Sequence, residues 1–288
     1  MKILVTGADG FTGKWFSHAA MSAGHDVVAL QADLTDEKAV AAEVQAAQPN
    51  AVVHLAAISF VGHADNTAFY SVNVVGTTHL LSAVASLDTP PGKVLVASSA
   101  NIYGNCESSP IYEDQPPAPV NHYAASKLAM EHMARTYCDH LPIVLTRPFN
   151  YTGPGQALNF VIPKLVNHFV QRATSIELGN LHVEREFNDV RMVCNAYLAL
   201  LEHGTPGEAY NICSGQPYTL QQVINILAEL TDHQLEVRVN PKFVRANEVH
   251  RLCGNPTRLH QLLQATDLKV EGYTLQQTLK FMIDQHQT

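Results

Sequence analysis

Tyr123 and Lys127 stand four residues apart in Tyr123-Ala124-Ala125-Ser126-Lys127, downstream of the hydroxyl-rich segment Ser98-Ser99-Ala100-Asn101-Ile102-Tyr103-Gly104. On an α-helix, positions i and i+4 share a face, with Cβ atoms about 5–6 Å apart, so a phenol and an ammonium can address one ligand. Such a pair suits hydride transfer, because a free tyrosine titrates near ~10 and an adjacent ammonium favours its phenolate. Near the amino terminus, Gly7-Ala8-Asp9-Gly10-Phe11-Thr12-Gly13 has G-x-x-G-x-x-G spacing between a strand-like run and a helical one. Glycines there permit a tight turn and let a helix amino terminus face a pyrophosphate, which points to a dinucleotide such as NADH or NADPH.

The elements that must hold these residues follow a regular rhythm. Short apolar runs (3–6, 27–30, 51–55, 94–97, 143–146) alternate with helical periodicity (12–23, 37–47, 67–87, 123–138). This alternation predicts parallel β-α-β units with right-handed crossovers, hence an α/β fold with a Rossmann-like doubly wound parallel sheet. After Pro148 the pattern becomes turn-rich, and a smaller, discontinuous α/β lobe is expected. We assign residues 1–150 and 189–213 to the NAD(P)-binding domain, and 151–188 and 214–288 to the lobe. Expected lobe elements are helices over 160–171, 219–230, 258–264 and 274–286 and a strand over 235–239. A helix over 190–202 and a strand over 208–213 return to the large sheet.

Composition narrows the function classes. Hydrophobic residues make up 46% and charged residues 15% of 288, which suits a packed core and argues against disorder. A net charge of −8 disfavours nucleic acid as a partner. No apolar run reaches the ~18 residues of a membrane span, and the strand-like start leaves no room for a signal peptide, so a cytoplasmic protein is expected. Cys106, Cys138, Cys194, Cys213 and Cys253 are scattered without C-x-x-C spacing, and the fifteen histidines form no H-E-x-x-H, so neither disulfides nor a metal is expected. Strand two ends in Gln31, which is not the acidic residue that commonly binds a ribose 2′-hydroxyl, leaving NADH versus NADPH open.

With these pieces in register, the chain resembles the extended short-chain dehydrogenase/reductase family over essentially its whole length. Besides the glycine motif and the Tyr123/Lys127 pair, the resemblance rests on His54-Leu55-Ala56-Ala57, Asn73-Val74-Val75-Gly76-Thr77, Arg147-Pro148-Phe149-Asn150 and Gly153-Pro154. It implies Tyr123 as proton donor or acceptor, Lys127 on the nicotinamide ribose while lowering the phenol's pKa, and Ser99 on the reacting oxygen. Ser98 is expected to face the opposite side by strand alternation. The resemblance further implies a cofactor site of Gly7, Gly10, Phe11, Thr12, Gly13, Asp33, Leu34, Leu55, Ala56, Ala57, Asn73, Tyr123, Lys127 and Pro148, with Asp33 near adenine. Related dehydratases carry a carboxylate at the position of Asn101. An amide cannot serve as a base at neutral pH, which argues for reduction alone.

Three further segments resemble reductases of GDP-4-keto-6-deoxy-D-mannose: Gly153–Gln156 with Phe160–Pro163; Leu178–Leu181 with Arg185–Val190; and Val244–Val249. The implied substrate contacts are Ser59, Phe60, Ser99, Asn101, Asn150, Val161, Arg185, Arg245 and Glu248. The two arginines would address the pyrophosphate, since guanidinium binds phosphate oxygens through a fork of donors. Glu186, Ala246 and Met192 depart from that pattern. The expected function is NAD(P)H-dependent reduction of the 4-keto group of a nucleoside-diphosphate-4-keto-6-deoxyhexose, with GDP-6-deoxy-D-mannose as product. The rivals are an NAD-dependent 4-epimerase, a dTDP-linked reductase and a non-catalytic NAD(P)-sensing regulator. A homodimer through the helices at 67–87 and 123–138 is expected from the same resemblance.

Overall fold

A computed structural model describes residues 1–61, 64–243, 249–266 and 268–286. In chain order the large domain runs β1 (Lys2–Thr6), α1 (Phe11–Ser22), β2 (Asp26–Leu30), α2 (Glu37–Ala47), β3 (Ala51–His54), α3 (Asn66–Tyr70), α4 (Thr77–Ala85), β4 (Lys93–Ala97), α5 (His122–Arg135) and β5 (Ile143–Pro148). There follow β6 (Tyr151–Thr152), α6 (Val161–Val170), β7 (Ser175–Leu178), β8 (Glu184–Arg185), β9 (Asn188–Asp189), α7 (Val190–His203) and β10 (Ala209–Ile212). The chain ends with β11 (Tyr218–Thr219), α8 (Leu220–Thr231), β12 (Glu236–Val239), β13 (Arg251–Leu252), α9 (Thr257–Ala265) and α10 (Leu275–His286).

The main sheet has the order β10-β5-β4-β3-β1-β2 with every pairing parallel. β3 and β5 are buried along their whole length, as expected of strands covered by helices on both faces. One core, with Ile3, Val5, Phe16, Val144 and Tyr197, lies beneath α1 and α7. Another, with Leu4, Val40, Leu80, Val96 and Met130, lies beneath α2, α4 and α5. The chain turns to opposite sides of β1 for β2 and β3, so a switch point opens where β1 meets β3. Ligands of doubly wound folds bind in that crevice, beyond the carboxyl ends of the strands.

A third core joins α6, α8 and α10 through Val166, Phe169, Leu227 and Leu279, with the β12-β7 pair against it. Helix α9 does not join it. Its Leu259 and Leu263 pack into the first core beside Ile212. Two departures from the periodicity concern the site. The expected helix over 67–87 is interrupted by a π-helical turn, Ser71–Gly76, between α3 and α4. The two-residue strands β8 and β13, which pair in parallel, are too short for alternation to reveal.

Candidate active site

Gly7-Ala8-Asp9-Gly10-Phe11-Thr12-Gly13 forms the β1–α1 turn, and the backbone leaves no room for a side chain at Gly7 or Gly13. A Cβ on Gly13 would lie 2.0 Å from the Gly7 carbonyl oxygen and 2.6 Å from Ala8 Cα. Gly7 has φ +68°, and a Cβ there would meet the Ala56 nitrogen at 2.8 Å. Helix α1 then begins at Gly10 with no side-chain cap and no acidic residue in its first turn. A helix start of that kind presents backbone N–H groups and a positive dipole end to an anion, so these residues fit a dinucleotide pyrophosphate. Phe11 stacks on Tyr151 at 6.1 Å between ring centres, and the Tyr151 hydroxyl lies 2.7 Å from Thr12 Oγ1. Trp15 Nε1 donates to the Pro154 carbonyl at 3.0 Å, so the turn-rich segment after β5 is fastened to the glycine turn.

Beyond β3, Leu55 and Ala56 bring their backbone against the glycine turn at Gly7, and Ala57 follows. His54 at the strand end is buried, with its two ring nitrogens 2.7 Å from Thr6 Oγ1 and from Thr77 Oγ1. Burial, aided by Lys127, holds this imidazole neutral, with its pKa down at about 3. The π-helical turn carries Asn73 inward. The Asn73 amide accepts from Ile58 N at 2.9 Å and donates to Ser126 Oγ at 3.0 Å. Asn73 is therefore wholly buried, committed to tying the wall after β3 to α5. Leu34 is likewise buried, under Gly76, whereas Asp33 is exposed and accepts from the amide and hydroxyl of Thr35. Pro148 ends β5 and is buried.

The chemistry-bearing side chains meet at the ends of β4 and α5. Asn121 caps α5 by accepting from Ala124 N at 2.9 Å, which fixes the turn carrying Tyr123. Ser99 hydrogen-bonds Tyr123 and favours its phenolate, but burial outweighs this and pushes the phenol upward. The spacing predicts a phenol lowered by Lys127, whereas its net shift is upward. The Lys127 ammonium is anchored on the Ala97 carbonyl at 2.6 Å, and burial is the dominant influence on the tyrosine. Lys127 itself is driven down to about 8 by burial, against the opposing charge of Glu131. At neutral pH the phenol is thus a loaded acid beside an ammonium. Asn101 donates to Ser99 Oγ from its backbone nitrogen at 3.2 Å and from Nδ2 at 3.1 Å. With its lone pairs so engaged, the Ser99 hydroxyl can direct its proton toward the phenol or a reacting oxygen. Ser98 Oγ, by contrast, is buried with no hydrogen-bond partner among the described residues.

On the substrate side, Phe60 meets Phe160 edge-to-face at 5.9 Å, joining the wall after β3 to the segment that leads into α6 and Val161. Ser59 and Asn150 are exposed, and the Asn150 carbonyl accepts from Asn188 N at 2.9 Å. Arg185 lies on β8 with its guanidinium on the Glu184 carbonyl at 2.8 Å and on the Val249 carbonyl. Arg245 and Glu248 lie outside the described residues. Glu186, a departure in the sequence, is a buried fastener: it accepts from Ser214 N at 2.7 Å, Gly215 N at 3.2 Å and Gly254 N at 2.6 Å. Sequence reasoning gave Glu131 no role and Arg147 none beyond its place in the Arg147–Asn150 motif, yet Arg147 Nη2 and Glu131 Oε2 form an ion pair at 2.8 Å. The i+4 spacing of Glu131 from Lys127 was the sequence signal for it. Among the described residues no cluster of three His, Cys, Asp or Glu suits a metal ion, and no helix is long and apolar enough to cross a membrane.

Residues 26–267 match the family model described as GDP-mannose 4,6 dehydratase. A GDP-6-deoxy-D-talose 4-dehydrogenase from Aggregatibacter actinomycetemcomitans is 37% identical over 91% of both chains. A GDP-6-deoxy-D-mannose reductase from Pseudomonas aeruginosa is 34% identical, covering 98% of this chain and 96% of its own. Among solved structures, RMD from Pseudomonas aeruginosa complexed with NADPH superposes with a TM-score of 0.89 at 32% identity, covering 98% of this chain and 97% of that one. The chain belongs to the GDP-mannose 4,6 dehydratase family, within the extended short-chain dehydrogenases/reductases.

Proposed function

We propose that the chain is an NAD(P)H-dependent reductase of the 4-keto group of a nucleoside-diphosphate-4-keto-6-deoxyhexose, with GDP-4-keto-6-deoxy-D-mannose as substrate. The observation that carries this reading is the grouping of Ser99, Tyr123 and Lys127 beside the glycine turn, with an amide rather than a carboxylate at Asn101. An amide cannot extract the proton that elimination of water requires. The two relatives named above are a 4-dehydrogenase of GDP-6-deoxy-D-talose and a GDP-6-deoxy-D-mannose reductase, which supports the choice of sugar.

When bound, the nicotinamide supplies the hydride that the carbonyl carbon accepts. The chain's own residues manage the charge that grows on oxygen. Ser99 donates a hydrogen bond to that oxygen, and the protonated Tyr123 donates a second and then releases its proton. Both contacts strengthen as negative charge develops, so they favour the transition state over the ground state. Lys127, still cationic below about pH 8, stabilises the phenolate left behind and reaches the ribose. Gly7, Gly10 and Gly13 admit the pyrophosphate, and Phe11, Thr12, Leu55, Ala56 and Ala57 line the channel. Arg185 and Arg245 are assigned to the sugar-nucleotide phosphates, with Ser59, Phe60, Asn150, Val161 and Glu248 around the sugar and its nucleotide. The reading extends to a cytoplasmic homodimer through α3, α4 and α5, with Tyr70 of α3 and Val75 of the π-helical turn as exposed apolar surface.

The test is oxidation of NADH and NADPH by the purified protein against GDP- and dTDP-linked 4-keto-6-deoxy sugars. Stoichiometric oxidation with the GDP sugar supports the proposal. Tightly retained NAD with interconversion of 4-hydroxy epimers and no net oxidation would identify a 4-epimerase instead.

A further inference from the structure

Lys127 is an ammonium in a dry place, 3% exposed. Its surroundings are unevenly charged. The end of β4 offers it the uncharged Ala97 carbonyl, and β3 presents the neutral His54. On its own helix it has Tyr123, which is protonated at neutral pH, the Met130 sulfur at 3.6 Å and Glu131. Glu131, 2% exposed, is the acid on its helix face, and it is held from the far side. Arg147 Nε donates to Glu131 Oε1 at 3.0 Å and Nη2 to Oε2 at 2.8 Å, a two-pronged pair that fixes the carboxylate's orientation. Arg147 Nη1 in turn donates to the Tyr103 hydroxyl at 2.9 Å and the Glu113 carbonyl at 2.8 Å. Tyr103 ends the 3-10 turn that starts immediately after Ser99, and its hydroxyl donates to Asn211 Oδ1 at 2.8 Å. The pair therefore bridges the helix carrying Lys127 and the turn carrying Ser99.

We infer that Glu131, clamped by Arg147, is a positioning residue that keeps Lys127 charged in its buried setting and holds the lysine helix in register with the Ser99 turn. The inference rests on the reading of Lys127 as the cation of the proton-transfer pair. The physical reason is charge bookkeeping in a low-dielectric interior. Lys127, Glu131 and Arg147 together carry one net positive charge. Neutralising Glu131 leaves two like charges facing each other with water excluded, and the lysine is the one that can shed its proton.

The test reads that proton directly. Protein labelled with ¹³C at lysine Cε has nine lysines, and the Lys127 resonance is assigned by its loss in Lys127→Met. In the wild type it should titrate with a midpoint at about 8. Glu131→Gln keeps the side-chain shape and should lower the midpoint by about one to two pH units. Glu131→Gln combined with Arg147→Met restores the net charge and should recover most of the shift. If Glu131→Gln does not fold, Arg147→Gln gives the opposite sign and should raise the midpoint. An unchanged midpoint in Glu131→Gln, or in its place an unchanged or lowered one in Arg147→Gln, overturns the inference. A merely structural role would change the melting temperature and leave the midpoint in place. Failure of every keto sugar to react would sink the reductase reading without touching this titration. If both hold, the alkaline limb of turnover moves with the midpoint.

Discussion

Lys127→Met is expected to stabilise the protein while removing its activity. The ammonium titrates at about 8 in the fold and near 10.5 when unfolded, so burial disfavours its charge. Below pH 8 both states are protonated and the folded state bears the full penalty, about 3 kcal/mol at 1.36 kcal/mol per unit. Between pH 8 and 10.5 the folded amine gives up its proton while the unfolded one keeps it. The unfolded state then binds more protons, and wild-type stability rises with pH through that window. Methionine has similar length and no charge, and Met130 already packs nearby. It leaves the Ala97 carbonyl without its donor, a loss of about 1 kcal/mol. The net gain at pH 7 is therefore about 2 kcal/mol, or about 3 °C in melting temperature for a chain of this size. Urea unfolding of cofactor-free protein at pH 7 and pH 10 measures it, and the advantage should shrink at the higher pH. A variant no more stable than wild type at pH 7, or a difference that ignores pH, would refute the reasoning.

Tyr123→Phe removes the acid and leaves the glycine turn untouched. Turnover should fall by ~10²–10⁴ with cofactor affinity retained, as read by stopped-flow absorbance and nucleotide fluorescence. Gly13→Ala forces a methyl into backbone with no side chain to yield, so cofactor affinity should collapse and the melting temperature should drop by the equivalent of ~1–3 kcal/mol. Gly272→Ala, which meets nothing within 4 Å, serves as the control. Glu186→Ala strips the acceptor from Ser214 N, Gly215 N and Gly254 N; water can reach the first two, and the buried Gly254 N left unsatisfied should lower unfolding stability by about 1–3 kcal/mol in a urea titration.

The parts of this site legible in the sequence were those imposed by local geometry. The glycine spacing could be read because Gly7 and Gly13 meet backbone that tolerates no Cβ, and Tyr123 and Lys127 because four residues make one helical turn. The alternation that gave the parallel sheet reflects helices on both of its faces. The π-helical turn at 71–76 was hidden because its composition differs little from that of the α-helices around it. Its register change serves Asn73, whose partners Ile58 and Ser126 are brought near only by the fold. The same holds for Arg147 and Glu131, sixteen residues apart, and for Glu186, whose partners lie 28 and 68 residues away. The direction of the phenol's shift was misjudged because spacing shows an ammonium on the same face but not how dry the face is. Asn101 places an amide where the resemblance leads one to look for a carboxylate. Its hydrogen bonds to Ser99 needed coordinates.

Transfer of label decides the central proposal most directly. Protein mixed with NADH or NADPH carrying deuterium at both nicotinamide C4 positions and with GDP-4-keto-6-deoxy-D-mannose should place one deuterium at C4 of the hexose, with one cofactor oxidised per sugar reduced. Recovery of unlabelled sugar with the cofactor still reduced, or label appearing nowhere on the hexose, would contradict it.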